Sequence, residues 1–99
     1  MTAKVFPTKY YLDLDVTPED IERGVRFKSR ACPIALAAAR ATGLEAVVKY
    51  GILTLYNQDG ATAVYPLTQK ATTFVFAFDV LRTAQPVKLR LRLERSSWR

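Results

Sequence analysis

The chain has no histidine and a single cysteine, Cys32. Without histidine it lacks the commonest general base, the commonest metal ligand and the central member of most hydrolytic triads. One cysteine makes no internal disulfide and no structural zinc site, so nothing marks the chain as secreted. Glycine is scarce, with four residues, and no Gly-rich phosphate loop of either familiar pattern is present. The acidic groups Asp13/Asp15 and Glu19/Asp20/Glu22 read as an exposed strand face and a helix first turn rather than as catalytic carboxylates. No uncharged apolar run approaches the roughly 20 residues needed to span a bilayer. Met1 to Pro7 contains no apolar stretch of the secretory kind. These absences predict a non-enzymatic, cytoplasmic protein with no catalytic residue, no metal ligand, no cofactor and no membrane partner.

What is present suits one globular domain. Hydrophobic residues make up 49% and charged residues 24% of the 99 positions, enough for one core and too little chain for two. The net charge of +6 is unevenly spread. Residues 1–22 hold two basic and five acidic side chains, and residues 23–99 hold thirteen basic and four acidic. Such a surplus attracts nucleic acid, nucleotides or acidic protein surfaces.

The stretch Ala31 to Thr42 organises the rest. Arg40 is its only charge, so it reads as a helix buried on nearly every side, with Pro33 at the first helical position and Gly43 just past the end. Before it, Tyr10 to Val16 alternates as a strand, with Tyr10, Leu12, Leu14 and Val16 facing one way and Tyr11, Asp13 and Asp15 the other. Thr17, Pro18 and Asp20 then spell a capping box for a short helix ending near Gly24, with Val16 and Ile21 as its hydrophobic staple. After Gly43, Glu45 to Lys49, Ile52 to Tyr56 and Ala61 to Tyr65 read as strands of a meander. Gly51 marks a turn or bulge, and Asn57-Gln58-Asp59-Gly60 marks a turn. Thr68 to Thr83 fits both periods, but its length favours a helix with Ala71, Phe74, Phe78 and Leu81 on one face. Val87 to Glu94 is the most regular strand. The expected architecture is a single α+β domain over 1–99, in the order β-α-α-β-β-β-α-β. Its helices lie on one face of a mostly antiparallel sheet of about five strands, with tails at 1–8 and 95–99.

Three motifs in this order carry a resemblance: Asp20-Ile21-Glu22-Arg23-Gly24, Cys32-Pro33-Ile34-Ala35-Leu36-Ala37, and Phe74 to Asp79 followed by Pro86-Val87. From Val16 to Leu93 the chain resembles a group of small accessory proteins encoded by tailed phages of actinobacteria. In that group a short Gly-ended helix leads into a Cys-Pro-x-Ala-Leu helix, and the Phe-x-x-x-Phe-Asp segment is helical. The resemblance implies a phage accessory protein that interferes with host machinery or host defence in the host cytoplasm. It transfers no catalytic residue. The group's last strand usually follows its proline with Phe, where this chain has Lys88 and Leu89.

Two basic features are candidate sites. The loop from Arg23 to Arg30 holds four cations and no acid, and it runs into the N-terminus of the buried helix, where free amides favour an anion. Arg23, Arg26, Lys28 and Arg30 would supply charge, and Ser29 with the amides of Ile34 and Ala35 hydrogen bonds. The bland alternative is a solvated loop. On the last strand, Lys88, Arg90 and Arg92 share a face that either tracks phosphates or pairs with Asp13 and Asp15 across the two terminal strands. Tyr11 points away from its strand's apolar side and is the tyrosine best placed to stack on a base. Cys32 is either a nucleophile activated by Lys28, Arg30 and the helix end, or an inert buried residue; its place before a buried helix favours the second. The expected partner is a host protein with an acidic surface or a sequestered nucleotide-like anion. DNA or RNA, bound without regard to sequence, is the alternative partner, a cryptic enzyme is the remaining and least favoured reading, and the last strand offers an edge for pairing with a second copy.

Overall fold

Residues 10–97 are described by a computed structural model of the chain, and the alanine-rich segment lies at its centre. Helix α2 spans Pro33–Thr42, with Cys32 as its N-cap, Pro33 in the first turn and Gly43 stopping it in the left-handed region at φ 72°. Pro33, Ile34, Ala35, Ala37 and Ala38 are buried. Small side chains there let the helix approach β1 (Tyr11–Val16) and β2 (Glu45–Lys49) closely, and it packs on both.

Helix α1 (Pro18–Arg23) starts as its sequence predicts. The Thr17 hydroxyl accepts from the Asp20 amide at 3.2 Å, and the Asp20 carboxylate accepts from the Thr17 amide at 2.9 Å. Val16 is fully buried and Ile21 packs against the core beside it. The helix ends where Gly24 meets Pro33. A Cβ at Gly24 would stand 2.8 Å from both Cγ and Cδ of that ring, so only glycine lets the two helices meet here.

Asp20, the first-turn acid of that capping box, is in addition buried, at 4% exposure, under Arg40 of α2. The guanidinium donates to both carboxylate oxygens, one of them at 3.0 Å, and to the Asp15 carbonyl at 2.8 Å. Burial pushes the Asp20 pKa up. The hydrogen bond from Arg40, the bonds from Thr17 and the charge of Arg40 outweigh it and hold the carboxyl below its ordinary value.

Strand β1 pairs antiparallel with β5 (Val87–Arg92) from Tyr11↔Arg92 to Val16↔Val87. Leu12, Leu14 and Val16 with Leu89 and Leu91 form the inner face. On the outer face Asp13 lies opposite Arg90 and Asp15 opposite Lys88, the cross-strand pairing that the charges anticipate. Asp13 and Arg90 form a two-point contact at 2.7 and 3.2 Å. Tyr10, expected on the apolar side, is 50% exposed, with Arg92 4.8 Å from its ring centre.

Strands β2, β3 (Ile52–Tyr56) and β4 (Thr62–Pro66) form the meander. The β2–β3 turn is Tyr50-Gly51, both with positive φ, at 56° and 73°. Those are the signs that a two-residue type I′ hairpin turn requires. At the other end the Asn57 side chain accepts from the amides of Asp59 and Ala61 and closes the β3–β4 turn.

Helix α3 (Gln69–Phe76) starts at Thr68, whose hydroxyl accepts from the Ala71 amide at 3.1 Å, and runs into a π-helical turn over Ala77–Leu81. Ala71, Phe74 and Phe78 are buried as the helical pattern predicts, but Leu81 is 54% exposed. The wider turn explains the difference. It takes more than 3.6 residues to come round, so position 81 falls off the stripe begun at 71, 74 and 78.

The expected single sheet is divided in two, and part of the segment expected as a C-terminal tail is a strand. Arg95–Ser96 forms a sixth strand, β6, paired with Val64 and Ala63 of β4. The sheets are therefore β1-β5 and β2-β3-β4-β6. They meet where the chain passes from β5 to β6: Leu93 donates to the Tyr10 carbonyl at 2.7 Å, and the next amide, Glu94, donates to the Val64 carbonyl at 2.8 Å. One bent stretch thus serves both sheets, as corner strands do. A single core cluster draws residues from both sheets and from α2, α3 and the π turn. The tail expected at 1–8, and the last two residues of the one expected at 95–99, lie outside the described residues.

Arg40→Ala would leave Asp20 buried without its counter-ion and is expected to lower unfolding stability at pH 7 by about 2–3 kcal/mol. The Asp20 carboxyl titrates below its unfolded value, so its contribution is complete above that value and is lost as pH falls through it toward the folded one. Urea unfolding of wild type and variant should show their difference shrinking from pH 7 to about pH 3. An equal difference at both would contradict the assignment.

Candidate binding groove

The basic loop is folded on itself and tied down at both sides. Val25 donates to the Ala31 carbonyl at 2.8 Å and Ala31 to the Lys28 carbonyl at 3.1 Å. The Ser29 carbonyl accepts from the Val48 amide at 2.8 Å, which places the loop along the outer edge of β2. On the other side Asp79, in the π turn, holds two neighbours. Its carbonyl accepts from the Arg26 guanidinium at 3.1 Å, and its carboxylate accepts from the Phe27 amide at 3.2 Å. A carbonyl at a helix end has no partner within the helix, so it is available to Arg26.

Between this loop, the Tyr50-Gly51 turn and α3 lies a groove of about 500 Å³. Its floor is apolar, from Cys32, Val48, Leu67 and Val75, with Ser29 and Thr72 at the sides. Phe27, Lys28, Lys49 and Tyr50 stand exposed around it, and Asp79 completes the lining. The two aromatics are displayed in an unusual way. Phe27 is 70% and Tyr50 90% exposed, and both are non-glycine residues in the left-handed region, at φ 62° and 56°. Each ring has a cation over it: Arg26 at 5.8 Å from the Phe27 centroid and Lys49 Nζ at 5.5 Å from that of Tyr50.

The structure redistributes the cations read from the sequence. Arg23 pairs with Glu19 one helical turn earlier, at 3.7 Å, and Arg30 pairs with Glu45 of β2. Arg26 is spent on Asp79. Of the loop residues, Lys28 and Ser29 line the groove together. The amides expected to clasp an anion at the start of α2 face Cys32 instead: Ala35 donates to its Sγ at 3.4 Å, and Ile34 also hydrogen-bonds the thiol. The second basic face is largely occupied as well, with Arg90 on Asp13 and 5.2 Å from the Tyr11 centroid, and Arg92 over Tyr10. Tyr11 therefore sits under a cation and edge-on to Tyr10, their centroids 4.8 Å apart.

Phe27, Lys49 and Asp79 are groove residues that the sequence reading passed over. One signal was available for the first hairpin: an x-Gly pair between two strands calls for Asn or Asp at x, and here x is Tyr50. Nothing in the sequence announced that Asp79 would meet the loop some fifty positions away. Among the described residues no three His, Cys, Asp or Glu side chains gather around a point where a metal ion could sit, and no helix is long and apolar enough to cross a membrane. Comparison with protein-family models, with curated proteins and with solved structures finds no match.

Cys32 is 6% exposed on the groove floor. Burial pushes its thiol pKa up, the amides of Ala35 and Ile34 offset part of this, and the Asp79 charge adds to the rise. In the native state iodoacetamide should alkylate it more slowly than a free cysteine peptide at the same pH, with full reactivity returning in denaturant. Native alkylation faster than the peptide would refute the inert reading. At the rim, Tyr50→Asn places a residue that tolerates positive φ in the hairpin turn and is expected to stabilise the fold by about 1 kcal/mol, raising Tm by roughly 4–8 °C. A lower Tm would mean that the Tyr50 ring contributes more to folding than its turn geometry costs.

Proposed function

We propose that the protein acts by binding, not by catalysis, and that it is a phage-type accessory protein whose partner is a host protein bearing an acidic surface. The groove is where that partner docks. One observation carries the reading: two large aromatics are held almost bare beside an apolar floor, on backbone that Gly or Asn would occupy at lower cost. Exposed aromatic side chains are among the residue types enriched where protein partners bind. The groove volume also falls in the range of small-ligand pockets, which supports sequestration of a nucleotide-like anion as the second reading. Direct binding of DNA or RNA has less support, because Arg90, in the middle of the strand face, is already paired with Asp13.

Immobilised protein exposed to host lysate, with retained proteins and small molecules read by mass spectrometry, tests this. A partner held by wild type and by the K88A/R92A variant, but lost from F27A/Y50A, is the expected result. Equal retention by F27A/Y50A would remove the groove from consideration. Binding to DNA that depends on Lys88 and Arg92, weakening by about one log–log unit in salt per phosphate contact, would favour the nucleic-acid reading.

A further inference from the structure

Resting on that reading of the groove, we infer that its occupant is a short acidic peptide segment carrying an apolar anchor, and not a phosphate-bearing ligand. The cations still available decide the matter. Arg23 and Arg30 are paired with Glu19 and Glu45, and Arg26 is held on the Asp79 carbonyl outside the groove lining, so Lys28 and Lys49 are the cations that line the groove. A lysine ammonium is a compact point charge that serves a carboxylate or a phosphate alike, and what a dedicated phosphate site adds is a nest of converging backbone amides. The amides that might have formed such a cradle, at the start of α2, are turned onto the Cys32 thiol.

Charge balance points the same way. Two lysines against the Asp79 carboxylate leave the groove with a surplus of one positive charge. That complements a single carboxylate and is less well matched to a nucleotide phosphate carrying two charges or more. The apolar floor of Val48 and Val75 fits an aliphatic or aromatic side chain, and the exposed rings of Phe27 and Tyr50 would cover it from the sides. Ser29 already holds the amide of Val48 on the β2 edge, so the peptide docks through side chains and not by adding a strand.

Selection from a random peptide library on the immobilised full chain tests the inference without a known partner. Enriched sequences should combine Asp or Glu with Leu, Phe or Trp. A synthetic winner should bind K28A/K49A and F27A/Y50N at least about tenfold more weakly than wild type. Both variants should keep the wild-type Tm or exceed it, and neither AMP nor oligo-dT should displace the peptide. Winners without acidic residues, winners that bind K28A/K49A as well as wild type, or displacement by AMP or oligo-dT would overturn the acidic-peptide inference. If F27A/Y50N still abolished binding, the groove would survive as a binding site. Winners that bind F27A/Y50N unchanged would overturn both.

Discussion

Arg40 is the one charge on a helix otherwise given over to the core, and the geometry of the candidate groove follows from where it points. Its guanidinium joins α2 to the Asp20 carboxylate of α1 and to the last turn-ward carbonyl of β1 at Asp15. The same carboxylate closes the capping box of α1, so one side chain both starts that helix and fixes it to its neighbour. With α1 held, Gly24 lies against Pro33, and the loop that follows must leave from that point. Its route to Ser29 on the β2 edge and to Asp79 in the π turn then sets the width of the groove. An ion pair of this kind contributes modestly to net stability once desolvation is counted, but removing one partner is costly, so it acts chiefly to specify a single arrangement.

Local signals were legible because they are local. Thr17-Pro18-x-Asp20, the alternation from Leu12 to Val16, the Cys32-Pro33 helix start with Gly43 at its end, and the bounds of β2 and β3 all depend on residues within a turn or two of each other. The pairing of Asp13 and Arg90 was also readable, since two strands of opposite charge pattern have few better places to go. What escaped was set by distance in sequence. Asp20 looks like any first-turn acid until Arg40 arrives over it. Leu81 fits the helical stripe until a π turn rotates it out. The groove is hardest of all: it is assembled from a loop, a hairpin turn and a helix whose only shared feature is that they end up side by side. The basic loop was visible, but the destinations of its arginines were not, and those destinations leave Lys28, joined by Lys49 from the hairpin, facing the groove.

The charge surplus takes on a different meaning in this light. Five of the nine arginines are committed to internal contacts: Arg40, Arg90, Arg30 and Arg23 to the carboxylates of Asp20, Asp13, Glu45 and Glu19, and Arg26 to the Asp79 carbonyl. Most of these pairs are exposed and each contributes little energy. Their combined effect is on specificity, because an arginine already held by a carboxylate attracts a stray polyanion less strongly. Net charge describes the molecule seen from far away; at contact range the surface is more selective.

The bent stretch that carries β5 into β6 has a consequence for how the chain is made. Strand β1, residues 11–16, finds its partner only in residues 87–92, and β4 receives its last neighbour at 95–96. Nearly the whole described chain must therefore leave the ribosome before either sheet can close, and until then the apolar face of β1 waits uncovered. Pairings so distant in sequence are slow to form and leave strand edges open in the meantime. Charged side chains blunt an open strand edge, and Asp13 and Asp15 alternate along that first strand, where they later meet Arg90 and Lys88 of the last one.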